Sequence, residues 1–173
     1  MKRRILAIDP GDQVSGYVVV EHDGREITRV IDKGKIENEG MYRVIANNAS
    51  VDCIADMAIE MVASYGMAVG KNVFDTCVWI GRFIENATIL GMWHKQIYRK
   101  EEKITLCNSL KAKDANIRQA LIDRYAPHTA NGGKGTKKEP GFFYGFKSDI
   151  WAAMAVAVTY FDMYVREVQS DER

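Results

Sequence analysis

Three carboxylates in this 173-residue chain stand in sequence that disfavours a charge. Asp9 follows Ile5-Leu6-Ala7-Ile8, Glu60 is flanked by Ala58-Ile59 and Met61-Val62, and Asp149 leads into Ile150-Trp151-Ala152-Ala153-Met154. An ionised carboxylate in apolar surroundings costs several kcal/mol unless it is paired or bound to a cation. Three of them ask for a common partner, and hard divalent cations with oxygen ligands supply one. A pair of such ions ~3.5–4 Å apart activates a water and stabilises the leaving oxygen of a phosphodiester. Taken singly, each residue has a plainer reading: a strand-end carboxylate in solvent or, for Asp149, a helix-start carboxylate meeting the macrodipole. His22, His94 and His128 show no metal-ligand spacing and adjoin no nucleophile motif, so no hydrolase triad is implied.

The elements that must position these groups follow from apolar pattern and turn signals. Residues 4–8, 16–21 and 26–36 read as a meander of three antiparallel strands, punctuated by Asp9-Pro10-Gly11 and Asp23-Gly24. A helix is predicted at 41–49 and a buried strand at 58–62. Val73, Cys77, Ile80, Ile84, Ala87 and Leu90 recur at helical spacing and predict a helix over 73–90. A short strand at 96–99 and a helix at 113–125 come next. Residues 126–146 hold two of the three prolines and five of the fourteen glycines, which marks a long mobile loop. A helix over 148–168, capped by Ser148 and apolar on nearly all sides as far as Phe161, should be the most buried. Strands first, then helices alternating with strands, give a mixed sheet covered by helices on its faces, within one domain spanning 1–173.

The overall composition, 47% hydrophobic and 27% charged, is that of a soluble globular chain. No stretch approaches the ~18 apolar residues of a transmembrane helix, and the amino-terminal apolar run breaks at Asp9, so neither a membrane partner nor a secretory signal is expected. Cys53, Cys77 and Cys107 are odd in number and far apart, which fits neither a disulfide framework nor a zinc site. A reduced, cytoplasmic location is the expectation. The net charge of +1 hides an asymmetry: residues 94–147 carry twelve cations and five acids, a surplus of seven. These cations are interleaved with Trp93, Tyr98, Tyr125, Phe142, Phe143 and Tyr144, the footprint of a protein that meets a phosphate backbone, although a solvated cationic face reads the same way. Gly132-Gly133-Lys134-Gly135-Thr136 lacks the spacing of a phosphate loop and reads as a flexible basic loop that orders on DNA.

Together with their local motifs, the three carboxylates resemble the RuvC family of Holliday junction resolvases, within the RNase H-like nucleases. Ile5-Leu6-Ala7-Ile8-Asp9-Pro10-Gly11 followed by Ser15-Gly16-Tyr17 is similar to that family's first-strand signature. Ala58-Ile59-Glu60, then Gly70-Lys71-Asn72 and a helix, resembles its second acidic strand, and Lys147-Ser148-Asp149 with the Ala-rich 150–159 its final acidic helix. The resemblance covers almost the whole chain in order. It implies an RNase H-like mixed five-stranded sheet with helices on both faces, and a homodimer acting on branched DNA, four-way junctions above all. It also implies Mg2+, with Mn2+ as a substitute, held by Asp9, Glu60 and Asp149 in a bacterial cell or a phage-infected one. Lys111 and Lys113 fall where the family places basic residues, and Lys134, Lys137 and Lys138 extend the basic face.

Two departures stand out. The family's fourth acidic or histidine ligand, three positions before the helix aspartate, is here Phe146, with Asp12, Asp52 and Asp114 as substitutes and Asp162 too far along the helix. A carboxylate at 146 would join the site if the backbone there is helical. The aromatic residue three positions after the strand glutamate is here Ala63, which leaves Tyr65 or Met67 to meet unpaired bases. The resemblance therefore implies a divalent-metal-dependent endonuclease leaving 5′-phosphate and 3′-hydroxyl ends. A catalytically silent module that binds branched nucleic acid is the alternative. An actin-like ATP-binding enzyme, which also opens on Asp-x-Gly after a strand, requires a longer chain. If the five lysines contact phosphates, junction affinity falls steeply with salt, and alanine at any one of them flattens the slope by up to about one unit in anisotropy titrations. A flat salt dependence would remove the segment from the DNA-binding face.

Overall fold

In a computed structural model, residues 3–49, 55–64 and 66–166 are described. Strands β1 (Arg3–Asp9), β2 (Val14–His22) and β3 (Ile27–Glu37) form the expected antiparallel meander. Helix α1 (Asn38–Asn48) leads to β4 (Asp56–Met61), which lies parallel beside β1, and α2 (Lys71–Ile89) leads to β5 (His94–Tyr98), parallel beside β4. Helices α3 (Arg99–Cys107), α4 (Asp114–Tyr125) and α5 (Ser148–Tyr160) follow, α5 running on into a π-helical turn at Phe161–Val165 within the expected 148–168, whose last two residues lie outside the described ones. The sheet order is β3-β2-β1-β4-β5. It is the mixed five-stranded sheet with helices on both faces. Among the described residues no helix is long and apolar enough to cross a membrane.

Strand alternation sorts the core into two layers. Ile5, Ala7, Val18, Val20, Ala58 and Ile97 face α4 and α5, whereas Leu6, Ile8, Tyr17, Val19, Met57 and Ile59 face α1 and α2. Helix α5 is buried on nearly every side, and its run of Ala and Val lets it lie close across β1 and β2. Parity then decides where the strand-end carboxylates go. Asp9 and Glu60 follow Ala7 and Ala58 by two residues, so both belong to the α5 face.

Three expectations need correction. Helix α3 was not legible, because Arg99-Lys100-Glu101-Glu102-Lys103 shows no apolar period; its start is organised locally by the Tyr98 backbone N–H donating to Glu101 Oε2 at 2.6 Å. Ser148 does not cap α5: Lys147 holds the cap position, and the Ser148 hydroxyl donates to Asp149 Oδ1 at 2.9 Å. Residues 126–146, expected as a mobile loop, are tied down by aromatic packing. Phe142 stacks on Tyr125 at 5.0 Å between ring centroids, and Phe143 and Phe146 meet Trp151 at 4.5 and 5.0 Å. A short 3₁₀ turn at Ala130–Gly133 and an antiparallel bridge between Gly135 and Pro140 shape the rest.

The Ser15-Gly16-Tyr17 motif acquires a physical reason. A Cβ on Gly16 would stand 2.6 Å from the Asp149 carbonyl oxygen and 2.8 Å from its carbonyl carbon and Cβ, so the start of α5 rests directly on β2. Gly16→Ala should push that start away and cost about 1–3 kcal/mol in urea denaturation, the ordinary magnitude of an overpacked site. An unchanged midpoint would show that α5 tolerates the displacement.

Candidate functional site

The sheet register carries one row of residues across the α5 face. Lys35 on β3 is opposite Gly16 on β2, Gly16 is opposite Asp9 on β1, and Glu60 lies one step beyond the Ile8–Ile59 pairing of β1 with β4. Asp149 sits above Gly16. Three carboxylates from three elements are thereby brought to one end of the sheet.

Their electrostatics follow from that crowding. Asp9 hydrogen-bonds Glu60, and its pKa is pushed up to about 8, first by burial, then by Glu60 and by the charge of Asp149, against the pull of Arg99. Burial also raises Glu60, which Arg99 and Asp9 partly offset. Asp149 behaves oppositely: Lys35 Nζ pairs with Asp149 Oδ2 and holds it below the usual carboxylate range. The row thus reads as cation, carboxylate, carboxylate pair, cation.

The second cation, Arg99, was not anticipated from sequence, and neither was Glu102. Arg99 opens α3 immediately after β5 and bonds both Glu102 and Asp114. Glu102 is fully buried, its Oε1 accepts no hydrogen bond among the described residues, and burial followed by the charge of Glu60 pushes its pKa up to about 9. Arg99 and Glu102 stand three residues apart, a helical pairing distance, but the pattern carries that signal only once α3 is known to be a helix. Lys35 could have been found by parity, since the expected strand 26–36 places it on one face with Lys33.

The remaining expected residues scatter. Lys113 precedes α4 and its backbone N–H donates to Asn116 Oδ1 at 2.9 Å, while Lys111 is exposed in the turn before it. Lys134 is half-buried, and Lys137 and Lys138 lie exposed near the Gly135–Pro140 bridge. Met67 is 70% exposed in the connection after β4, and Tyr65 lies outside the described residues, as does Asp52. Asp114 is engaged by Arg99, and Asp162 forms a bidentate pair with Arg124.

Phe146 does not face the carboxylates. It is 3% exposed within the Phe143–Trp151 cluster, with Lys33 Nζ 5.7 Å from its ring centroid. Its backbone N–H donates to Phe143 O in a turn that precedes α5. The condition for a fourth ligand at 146 is therefore unmet, and a carboxylate there would enter an aromatic core.

The donor chemistry fits a hard divalent cation: two carboxyls pressed together share a proton where a doubly charged ion would remove the repulsion, and a third lies within electrostatic reach. Among the described residues no three His, Cys, Asp or Glu side chains stand close enough to enclose an ion, and Asp149 is paired with Lys35. Such an ion would have to compete with Lys35 for Asp149.

A mixed five-stranded sheet in this order, with helices on both faces, is the RNase H-like fold. It is similar to Thermus thermophilus RuvC, with a TM-score of 0.68 and 15% sequence identity over 95% of this chain and 98% of that one. T. thermophilus RuvC in complex with Holliday junction substrate gives a TM-score of 0.68 and 13% identity, covering 96% of each chain. No family model and no curated protein matches the sequence. At this identity the likeness is one of fold.

A carboxyl that holds its proton more tightly when folded contributes stability that is fully present below its unfolded pKa and lost as pH rises through its folded one. For Asp9 that window runs from 3.8 to about 8. Asp9→Asn removes the titration, so with chelator present its stability relative to the parent should rise by on the order of 1–3 kcal/mol between about pH 4 and pH 9 in urea denaturation. A pH-independent difference would mean that ionised Asp9 is unstrained.

Proposed function

We propose that this chain is a divalent-metal-dependent, structure-selective endodeoxyribonuclease, with four-way junctions as its preferred substrate. The observation that carries the reading is the convergence of Asp9, Glu60 and Asp149, from two parallel strand ends and the start of α5, on one open end of the sheet. The charge asymmetry of residues 94–147 and the fold shared with a protein whose structure includes a Holliday junction support it.

Asp9, Glu60 and Asp149 would hold Mg2+, with Mn2+ as a substitute. When bound, the metal supplies a water of lowered pKa and charge neutralisation at phosphorus. The chain itself does the rest. Burial and Arg99 keep Glu60 in place beside Asp9, Lys35 presents a positive charge on the β3 side, and Gly16 lets α5 bring Asp149 down to the sheet. In-line attack of water on phosphorus then leaves a 5′-phosphate and a 3′-hydroxyl.

Symmetric cutting of a junction needs two sites related by a two-fold axis. The outward side of α2 offers the matching surface: Phe74, Val78 and Ile89 are 61%, 58% and 73% exposed, and Gly81 between them leaves open space for close approach. We assign this face to a second copy of the chain. Val78→Glu should then yield a folded monomer in analytical ultracentrifugation; persistence of a dimer would move the interface elsewhere.

A second reading is favoured by one observation, the diversion of Asp149 to Lys35: a silent module that binds branched DNA without cutting it. Cleavage assays on labelled four-way, three-way, flap and linear duplexes, with and without Mg2+ or Mn2+, separate the two. Asp9→Asn, Glu60→Gln and Asp149→Asn should each reduce cleavage by at least about a thousandfold while leaving junction affinity within a few-fold, because each removes a metal-binding charge and not a phosphate contact. Near-parental turnover in any of them would remove that residue from the site.

A further inference from the structure

Beside the carboxylates, α3, α4 and α5 enclose a small cleft that the reaction above does not use. Arg99, Asp114, Arg118, Ser148 and Trp151 form its walls over Ala152 and Ala155. Its volume of about 60 Å³ admits a compact oxyanion or a few waters and no nucleobase. Two guanidinium groups line it. The Arg118 guanidinium lies over the Trp151 ring, 4.7 Å from Cζ to the centroid, which fixes its plane. Arg99 is held from behind by the fully buried Glu102, while its other side bonds Asp114, whose side chain is 91% exposed. The first contact is a buried anchor; the second is a surface pair of small net worth and open to exchange. Ser148 links the cleft to the carboxylates, because its hydroxyl donates to Asp149.

We propose that this cleft is a subsite for a backbone phosphate flanking the scissile bond, with Arg99 and Arg118 as its donors and Asp114 as an internal stand-in that the phosphate displaces. The subsite rests on the nuclease reading for the identity of its ligand. Guanidinium forks match phosphate oxygens bidentately, and a carboxylate is the closest side-chain mimic of that pattern. A phosphate seated here, one hydrogen bond from Asp149 through Ser148, sets which phosphodiester reaches Asp9 and Glu60. Arg118 is accordingly a positioning residue, whereas Arg99 serves both the subsite and Glu60. Removing Arg99 would strand Glu102 in the core, so the test uses the exposed positions Arg118 and Asp114.

The experiment follows the arginine Nε–H resonances of the full chain by NMR during separate titrations with inorganic phosphate, a short single strand of DNA and a four-way junction. Arg99 and Arg118 should shift together, saturating at far lower concentration with DNA than with phosphate. Asp114→Asn should tighten phosphate binding several-fold, since the stand-in is gone; a merely structural Asp114 would leave it unchanged or weaken it. Arg118→Ala should abolish the phosphate response of Arg99, and in junction cleavage should raise KM about tenfold with kcat at saturation within a few-fold, partly restored by Arg118→Lys. Phosphate-induced shifts in a chain that cuts no DNA would overturn the nuclease reading while supporting the oxyanion site. Normal junction cleavage with silent Arg99 and Arg118 signals, or looser phosphate binding in Asp114→Asn, would overturn the subsite alone.

Discussion

Two carboxyls, Asp9 and Glu60, are forced into hydrogen-bonding contact at the ends of adjacent parallel strands, and both are desolvated there. Neither can ionise freely beside the other. The fold accommodates the pair by protonation and by a cation on each side of the row, Lys35 beyond Asp149 and Arg99 beyond Glu60. An isolated buried pair of this kind would be a pure liability. At an open end of the sheet, under the proposed function, it is where a doubly charged cation would displace the shared proton and relieve the repulsion that burial intensifies.

The same constraint explains features that look unrelated in the chain. Gly16 lacks a side chain because Asp149 must descend onto β2 to stand near Asp9. Arg99 sits at the start of α3, where the end of β5 delivers it beside Glu60, and Glu102 is buried to anchor it. The aromatic cluster of Phe143, Phe146 and Trp151 packs the approach to α5, so the position three residues before Asp149 belongs to the core and not to the carboxylates. Trp151 also orients Arg118, which ties the packing of α5 to the cationic wall beside the site.

Much of the fold is legible in the residues. The compact apolar run Ile5-Leu6-Ala7-Ile8 and the turn signals after β1 and β2 predict the meander, because a short apolar run bounded by turns is local and needs no partner to be recognised. The apolar run of 150–161 predicts a buried helix for the same reason. Helix α3 carries no apolar period: it is held by the Arg99 ion pairs with Glu102 and Asp114, by the Tyr98–Glu101 hydrogen bond and by its contacts with α4 and α5. In the segment 126–146 glycine and proline content reports backbone freedom, while Phe142, Phe143 and Phe146 restrain it through ring contacts with Tyr125 and Trp151 that composition does not show.

Sequence alone determined that Asp9, Glu60 and Asp149 stand in apolar surroundings, Asp9 at the end of a strand, Glu60 within one and Asp149 at the start of a helix. It also determined that cations concentrate in residues 94–147. Only the tertiary structure decided which charges face them. Lys35, Arg99 and Glu102 lie on three different elements, and their meeting depends on sheet order and register and on how α3 leaves β5. Charge pairing is a property of distance in space, falling off within a few ångströms, whereas burial is written into the composition of each segment.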